Sequence, residues 1–149
     1  MSTRKNPVPP SQDVLGYLLK HATMRLNALT DAALQPHGVD SKDLGILRVM
    51  VREDALSQLQ VAQALGIDRT TMVSLLDALE SRGIVTRSPD PDDRRRNLVQ
   101  LTSAGAEIYR AGEAVRKAVE GEFLAPLDKA SRENLRQSLH ILVIDPQAN

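Results

Sequence analysis

Residues 57–83 read SQLQVAQALGIDRTTMVSLLDALESRG, and the fold turns on this stretch. Ser57-Gln58-Leu59-Gln60 has the Ser-x-x-Gln form of a capping box, so a helix starts at its N-terminal end. Leu59, Val61, Ala62 and Leu65 supply its apolar positions, and Gly66 stops it. Ile67 and Asp68 open a second helix. Asp68 is its cap, Met72, Leu75, Leu76 and Leu79 form its buried face, and Gly83 ends it. Two helices joined by about three residues containing Gly make a helix-turn-helix, whose second helix can enter a groove of DNA.

Reading toward the C-terminus, residues 84–88 and Asn97–Leu101 have the pattern of strands. Between them Pro89-Asp90-Pro91-Asp92-Asp93-Arg94-Arg95-Arg96 breaks both strand and helix. The pair is a β-hairpin with a long charged tip, and a hairpin directly after a helix-turn-helix is a wing. Thr102 caps a helix running to about Glu122, Pro126 interrupts, and Ser131 opens a last helix with Leu135, Leu139, Ile141 and Leu142. Reading toward the N-terminus, Asp40 caps a helix with Leu44, Leu47 and Met50 that lasts to about Arg52. Before it, Val14, Leu15, Leu18, Leu19, Ala22, Leu26, Leu29 and Ala33 recur at three- and four-residue steps, one helical face, until Pro36 and Gly38 end the run. Residues 1–10, with Pro7, Pro9 and Pro10, read as a flexible arm. The expectation is a mainly α chain, a single domain over 11–146. A winged-helix lobe spans 40–101, and helices 11–35 and 102–145 are set aside for dimerisation.

The chain has 149 residues, one domain's worth at about 150 residues per domain. It has no Cys, which excludes disulfides, thiolate metal sites and a Cys nucleophile. His21, His37 and His140 have no metal-ligand spacing, so neither a metal nor a cofactor is expected. No run approaches ~18 consecutive apolar residues, and the N-terminus lacks the apolar core of a secretory signal. The expected setting is therefore cytoplasmic, with no membrane partner. No nucleophile elbow, His-Glu-x-x-His or phosphate-cradling Gly-rich loop is present, so no enzyme is expected.

The polar face of the second helix of the motif carries Arg69, Thr70, Thr71 and Ser74, interrupted by Val73. Its first turns suit a major groove, where hydroxyls and an Arg meet base edges and phosphates, and Val73 suits a thymine methyl. Arg94, Arg95 and Arg96 occupy the wing tip, and one guanidinium on a narrow loop fits a minor groove. A carboxylate beside DNA makes sense if Asp92 or Asp93 pairs with an Arg and fixes its direction. Asp93 and Arg95, two apart, suit a bent tip. Net charge is zero, with 19 basic and 19 acidic residues, and residues 66–110 also balance at seven Arg against seven acids. DNA binding then requires that the positive charge be local, and affinity should fall steeply with salt.

Asp93-Arg94-Arg95, Val99 and Leu101-Thr102-Ser103-Ala104-Gly105 resemble the wing signature of the MarR (multiple antibiotic resistance regulator) family, and Leu79-Glu80-Ser81-Arg82-Gly83-Ile84-Val85 resembles its recognition-helix exit. The resemblance covers about residues 11–144. It implies a homodimeric winged-helix regulator, most often a repressor, on a pseudopalindromic operator of double-stranded DNA. In the family the Arg matching Arg95 enters the minor groove and the Asp matching Asp93 orients it. Many members release DNA when a small phenolic or anionic compound binds between the dimer helices and the DNA-binding lobe. His21, Arg25 and Arg48 are candidates to line such a pocket. The chain departs from the family at Val73-Ser74, where Ser or Thr followed by Arg is common, so the family's operator preference does not transfer. Gly105 and Gly112, seven apart on one helix, point to close helix–helix approach in a dimer. A second reading is a winged-helix protein–protein module that never uses its DNA face.

Overall fold

Capping side chains set most of the helix starts. In the computed structural model, which describes residues 10–144, a 3-10 turn at Pro10–Asp13 leads into α1 (Leu15–Leu34). The expected arm at 1–10 lies outside the described residues except for Pro10. Pro36 in a second 3-10 turn and Gly38 at φ 71° end the first helical run. Asp40 and Asp43 then form a reciprocal capping box that starts α2 (Ser41–Val51). Strand β1 (Leu56–Ser57) is followed at once by α3 (Gln58–Leu65), with Ser57 and Gln60 capping each other. Asp68 accepts the Thr71 amide at the start of α4 (Arg69–Ser81). Strands β2 (Val85–Pro89) and β3 (Asn97–Leu101) make the hairpin, and Thr102 caps α5 (Ser103–Phe123). The last helix, α6 (Lys129–Val143), is capped by Asp128, whose carboxylate accepts the Ser131 amide at 2.7 Å. Ser131 therefore sits in the first turn and does not open the helix. Asp128 lies three positions earlier and fills the cap.

The wing is larger than a hairpin. The sheet is three-stranded and antiparallel, in the order β1-β3-β2. Leu56 pairs with Val99 on one side, and Arg87 pairs with Val99 on the other. The core sits in the winged lobe and takes in the end of α1: Leu34, Leu44, Ile46, Leu47, Val61, Met72, Leu76, Leu79, Val85 and Val99 are fully enclosed. Each such side chain contributes about 1.5–3 kcal/mol by leaving water. Ile108, Tyr109 and Val115 bring the N-terminal half of α5 onto this core. Leu59, expected among the inward residues of α3, is turned outward.

The glycines of α5 serve a tight approach, as their spacing implied, but to neighbours in the same chain rather than across a dimer. A Cβ at Gly105 would lie 2.1 Å from the Ile84 carbonyl oxygen, and one at Gly112 would lie 2.7 Å from Leu44 Cδ1. Both serve close approach inside one chain, of α5 to the root of the wing and to α2. The Thr102 amide donates to the Ile84 carbonyl (3.1 Å), and its hydroxyl donates to the Gly83 carbonyl (2.6 Å). The Leu-Thr-x-x-Gly sequence is thus a junction between hairpin and helix. By contrast α1 and α6 leave aliphatic side chains uncovered: Leu15, Leu18 and Met24 on one, Ile141, Leu142 and Val143 on the other.

A chain of alternating charges crosses from the lobe to α6. Arg48 on α2 donates to Glu113 on α5 (Nε to Oε1 3.2 Å). Arg116 holds the other oxygen of Glu113 at 2.9 Å and also pairs with Glu120, which lies 3.8 Å from Arg136. Burial pushes the Glu113 carboxyl up, but hydrogen bonds from Arg116 and Arg48 outweigh it and hold the group below its ordinary value of 4.5. A carboxylate with a depressed folded-state pKa stabilises above its unfolded value and loses that contribution as pH falls through the folded one. Melting temperature should therefore drop as pH is lowered below about 4.5, and Glu113→Gln should flatten this portion of the curve. Thermal melts of both proteins from pH 7 to pH 3 check it.

Candidate nucleic-acid interface

Helix α4 separates its residues by face. Met72, Leu76 and Leu79 are fully buried, while Arg69, Thr70, Thr71 and Ser74 are exposed and Val73 is half-buried. All five expected contact residues thus stand on or at the edge of the solvent side of one helix. Thr71 is partly committed: its amide and its hydroxyl both donate to the Asp68 carboxylate, at 2.9 and 2.5 Å. The hydroxyl proton is spent at the cap, and only its lone pairs remain for an incoming donor. The Thr71 hydroxyl bond, followed by its amide bond, holds the Asp68 carboxyl below its ordinary value.

The wing tip is stitched by two carboxylates. The Asp90 amide donates to the Arg96 carbonyl (2.9 Å) and the Arg96 amide to the Asp93 carbonyl (3.0 Å), closing the loop. Asp90, only 8% exposed, accepts the Asp92 amide (2.9 Å) and lies 3.3 Å from the Arg96 guanidinium. Asp93 accepts the Arg95 amide through Oδ1 (3.1 Å) and faces Arg96 Nε at 3.8 Å through Oδ2. This differs from a side-chain pair between Asp93 and Arg95. Asp93 fixes Arg95 through its backbone, and the guanidinium it meets is that of Arg96. Asp90, whose bracing role spacing did not disclose, sits between two prolines at the mouth of the loop, a place where an Asx turn is favoured.

These bonds settle where the charge goes. Arg82 pairs with Asp43, Arg87 with Asp77 and Glu80, and Arg96 with Asp90 and Asp93. Among the described residues, Arg69, Arg94 and Arg95 have no ion-pair partner, and all three are exposed. Of the seven acids in the stretch 66–110, Asp77, Glu80, Asp90 and Asp93 are held by arginines and Asp68 caps α4, while Arg69, Arg94 and Arg95 stay unpaired at the helix start and the wing tip, with the exposed Asp92 beside the last two.

The candidate pocket residues are not brought together. His21 stacks on Tyr17, ring centroids 3.9 Å apart, and both His21 and Arg25 are on the exposed side of α1. Arg48 lines a cavity of about 130 Å³ between α1, α2 and α5 with Leu26, Asn27, Thr30, Leu44 and Arg116. His21 and Arg25 do not line it, because α1 turns them to another face. Among the described residues no cluster of His, Asp or Glu could hold a metal, and no helix is long and apolar enough to cross a membrane.

Comparison with known proteins gives a consistent picture. The MarR family model matches residues 37–96, from the end of the first helical run to the wing tip. The putative transcriptional regulatory protein for the hcr operon of Thauera aromatica is 32% identical over 98 residues, 66% of this chain and 59% of its own length. The match therefore spans less than two-thirds of that relative. The transcriptional regulator HosA of Escherichia coli O111:H- is 30% identical over 92 residues, 62% of this chain and 68% of HosA. Among solved structures, the repressor CouR bound to a 23-mer DNA duplex superposes with a TM-score of 0.81 at 28% identity, covering 87% of this chain and 92% of CouR. CouR, from Rhodococcus jostii RHA1, has also been solved with p-coumaroyl-CoA.

Proposed function

The chain belongs to the MarR family, and from that membership we propose a homodimeric transcriptional repressor that grips a pseudopalindromic DNA site with two winged helices. The observation that carries this is the pair of unpartnered guanidinia, Arg94 and Arg95, exposed on a hairpin tip whose Arg96 is held by Asp90 and Asp93. In this reading α4 enters the major groove with Arg69, Thr70, Thr71, Val73 and Ser74, and Arg95 enters the adjacent minor groove. Arg94 meets the backbone phosphates, and Arg96 serves as the brace that keeps the tip in shape.

The uncovered aliphatic faces of α1 and α6 support the dimer. No residue of α6 is buried in the single chain, and apolar patches of that kind mark an interface. A two-fold axis through these helices sets two recognition helices about one DNA turn, roughly 34 Å, apart. A small phenolic or anionic compound is the proposed effector. The cavity between α1, α2 and α5 offers Arg48 and Arg116 to such an anion, in competition with Glu113 and Glu120. The role is regulatory rather than enzymatic, and it is exercised in the cytoplasm.

Fluorescence anisotropy tests the proposal. A duplex is selected from a random-sequence library by the wild-type protein and titrated at several salt concentrations. The expected result is saturable binding at two chains per duplex that weakens steeply with salt. Failure to select any duplex, or equal affinity for selected and scrambled DNA at low salt, would exclude a sequence-specific repressor.

A further inference from the structure

Arg87 stands in the middle of β2, two residues after the buried Val85 and on the same face of the strand. Its side chain is only 18% exposed. It gathers groups from two helices. Nη1 donates to Gln58 Oε1 at the start of α3 (3.1 Å). Nη2 donates to Glu80 Oε1 (3.0 Å) and to Asp77, and Nε lies 3.4 Å from Glu80 Oε2. The Arg87 amide also donates to Glu80 Oε2 (3.0 Å). Asp77 and Glu80 are three apart on α4, so both carboxylates point from one face of the recognition helix toward the strand.

No other polar tie joins the hairpin strands to α4 among the described residues. The hydrogen bonds and ion pairs of the tip loop 90–96 are all internal, and β3 reaches across only to β1 and to the Asp54 carbonyl. Strand β2 is the outer strand of the sheet, on the side away from β1, and pairs only with β3. DNA binding through two grooves needs the tip and the helix at a fixed separation, because contacts made by a loose wing cost ordering entropy on each encounter.

We infer that Arg87 is the positioning residue of the wing: with Asp77, Glu80 and Gln58 it clamps β2 to the recognition helix and sets the angle at which Arg95 meets the duplex. Arg87 itself does not touch DNA. A planar guanidinium spans these partners with separate N–H groups, and an ammonium at the same place cannot. This inference rests on the DNA-binding reading above and adds to it a residue outside the contact surface.

The test uses the selected duplex and a sign that simple electrostatics gets wrong. Glu80→Gln removes a negative charge beside DNA, so charge alone would tighten binding. The clamp weakens it, by roughly three- to tenfold. Arg87→Lys keeps the charge and should weaken binding to a similar extent. The decisive measurement is a double-mutant cycle with Arg95→Ala. In the Glu80→Gln background the Arg95→Ala loss should shrink to about twofold or less, because a mispointed guanidinium has little left to lose. Hydroxyl-radical footprints should then show the minor-groove protection gone while major-groove methylation protection by α4 persists, a split that mere destabilisation would not produce. Should Glu80→Gln fail to fold, Asp77→Asn, at a carboxylate 56% exposed, takes its place. Tighter binding by Glu80→Gln, or a cycle in which the two losses simply add, overturns the clamp. If Arg95→Ala alone leaves affinity unchanged, the wing reading itself falls and takes the clamp with it.

Discussion

Arg95→Ala lowers affinity for the selected duplex by roughly 1–3 kcal/mol and leaves the melting temperature of the free protein where it was. The first half follows from placement. Arg95 is exposed at a loop tip, and no carboxylate pairs with its guanidinium among the described residues. Its whole charge is therefore available to the concentrated negative potential of a narrow groove. The second half follows from the same fact, since a side chain that holds nothing in the free protein takes nothing away when truncated. Asp93→Ala is the sharper companion. Removing a negative charge near DNA would strengthen binding if the summed field decided the matter. Asp93, however, pins the Arg95 amide and faces Arg96, so its loss frees the tip and should weaken binding as well. Anisotropy titrations of both variants at fixed salt decide the point, and a tighter Asp93→Ala complex would refute the bracing role.

Gly105→Ala destabilises the protein by about 2 kcal/mol or more, although Ala is the better helix former by about 1 kcal/mol. The new methyl would meet the Ile84 carbonyl oxygen at 2.1 Å and its carbon at 3.1 Å. These are backbone atoms with no rotamer to change. To accommodate the methyl, α5 must lift off the root of the wing and stretch the bond between the Thr102 amide and the Ile84 carbonyl. Overpacking of well-filled sites costs roughly 1–3 kcal/mol, and a rigid backbone neighbour places this site at the upper end or beyond. The same change at Gly45 in α2, where nothing lies within 4 Å of the added carbon, serves as the control and should leave the protein as stable or slightly more so. Denaturant unfolding of the two variants checks the pair. Wild-type stability in Gly105→Ala would mean that the junction is loose.

Much of this was legible in residues alone wherever the signal was local. Asp40, Ser57, Asp68 and Thr102 act on amides three positions ahead, so a short window contains the whole interaction. The exposed face of α4 follows from periodicity in the same way. What escaped needs distant partners. Strand β1 is two residues long and exists only because Leu56 and Ser57 find Val99 and Leu98. Ser57 already had a complete local role as a cap. The spacing of Gly105 and Gly112 correctly implied a tight approach but could not say to what, and the neighbours proved to be Ile84 and Leu44 of the same chain. The Arg87 cluster unites positions 58, 77, 80 and 87, which no periodicity connects. At the wing tip, proximity of Asp93 and Arg95 was plain, but the choice between amide and guanidinium depends on how the loop bends.

The union of Thr102 and Gly105 with Ile84 has a mechanical consequence. Helix α5 has 21 residues and is about 30 Å long. One end lies flush against the peptide group from which the β-ribbon springs, and the other reaches the helices left uncovered in the single chain. A rod seated in this way cannot slide past the ribbon. Gly112 seats the same rod against Leu44 about half-way along, so the ribbon root, α5 and α2 are held together as one unit.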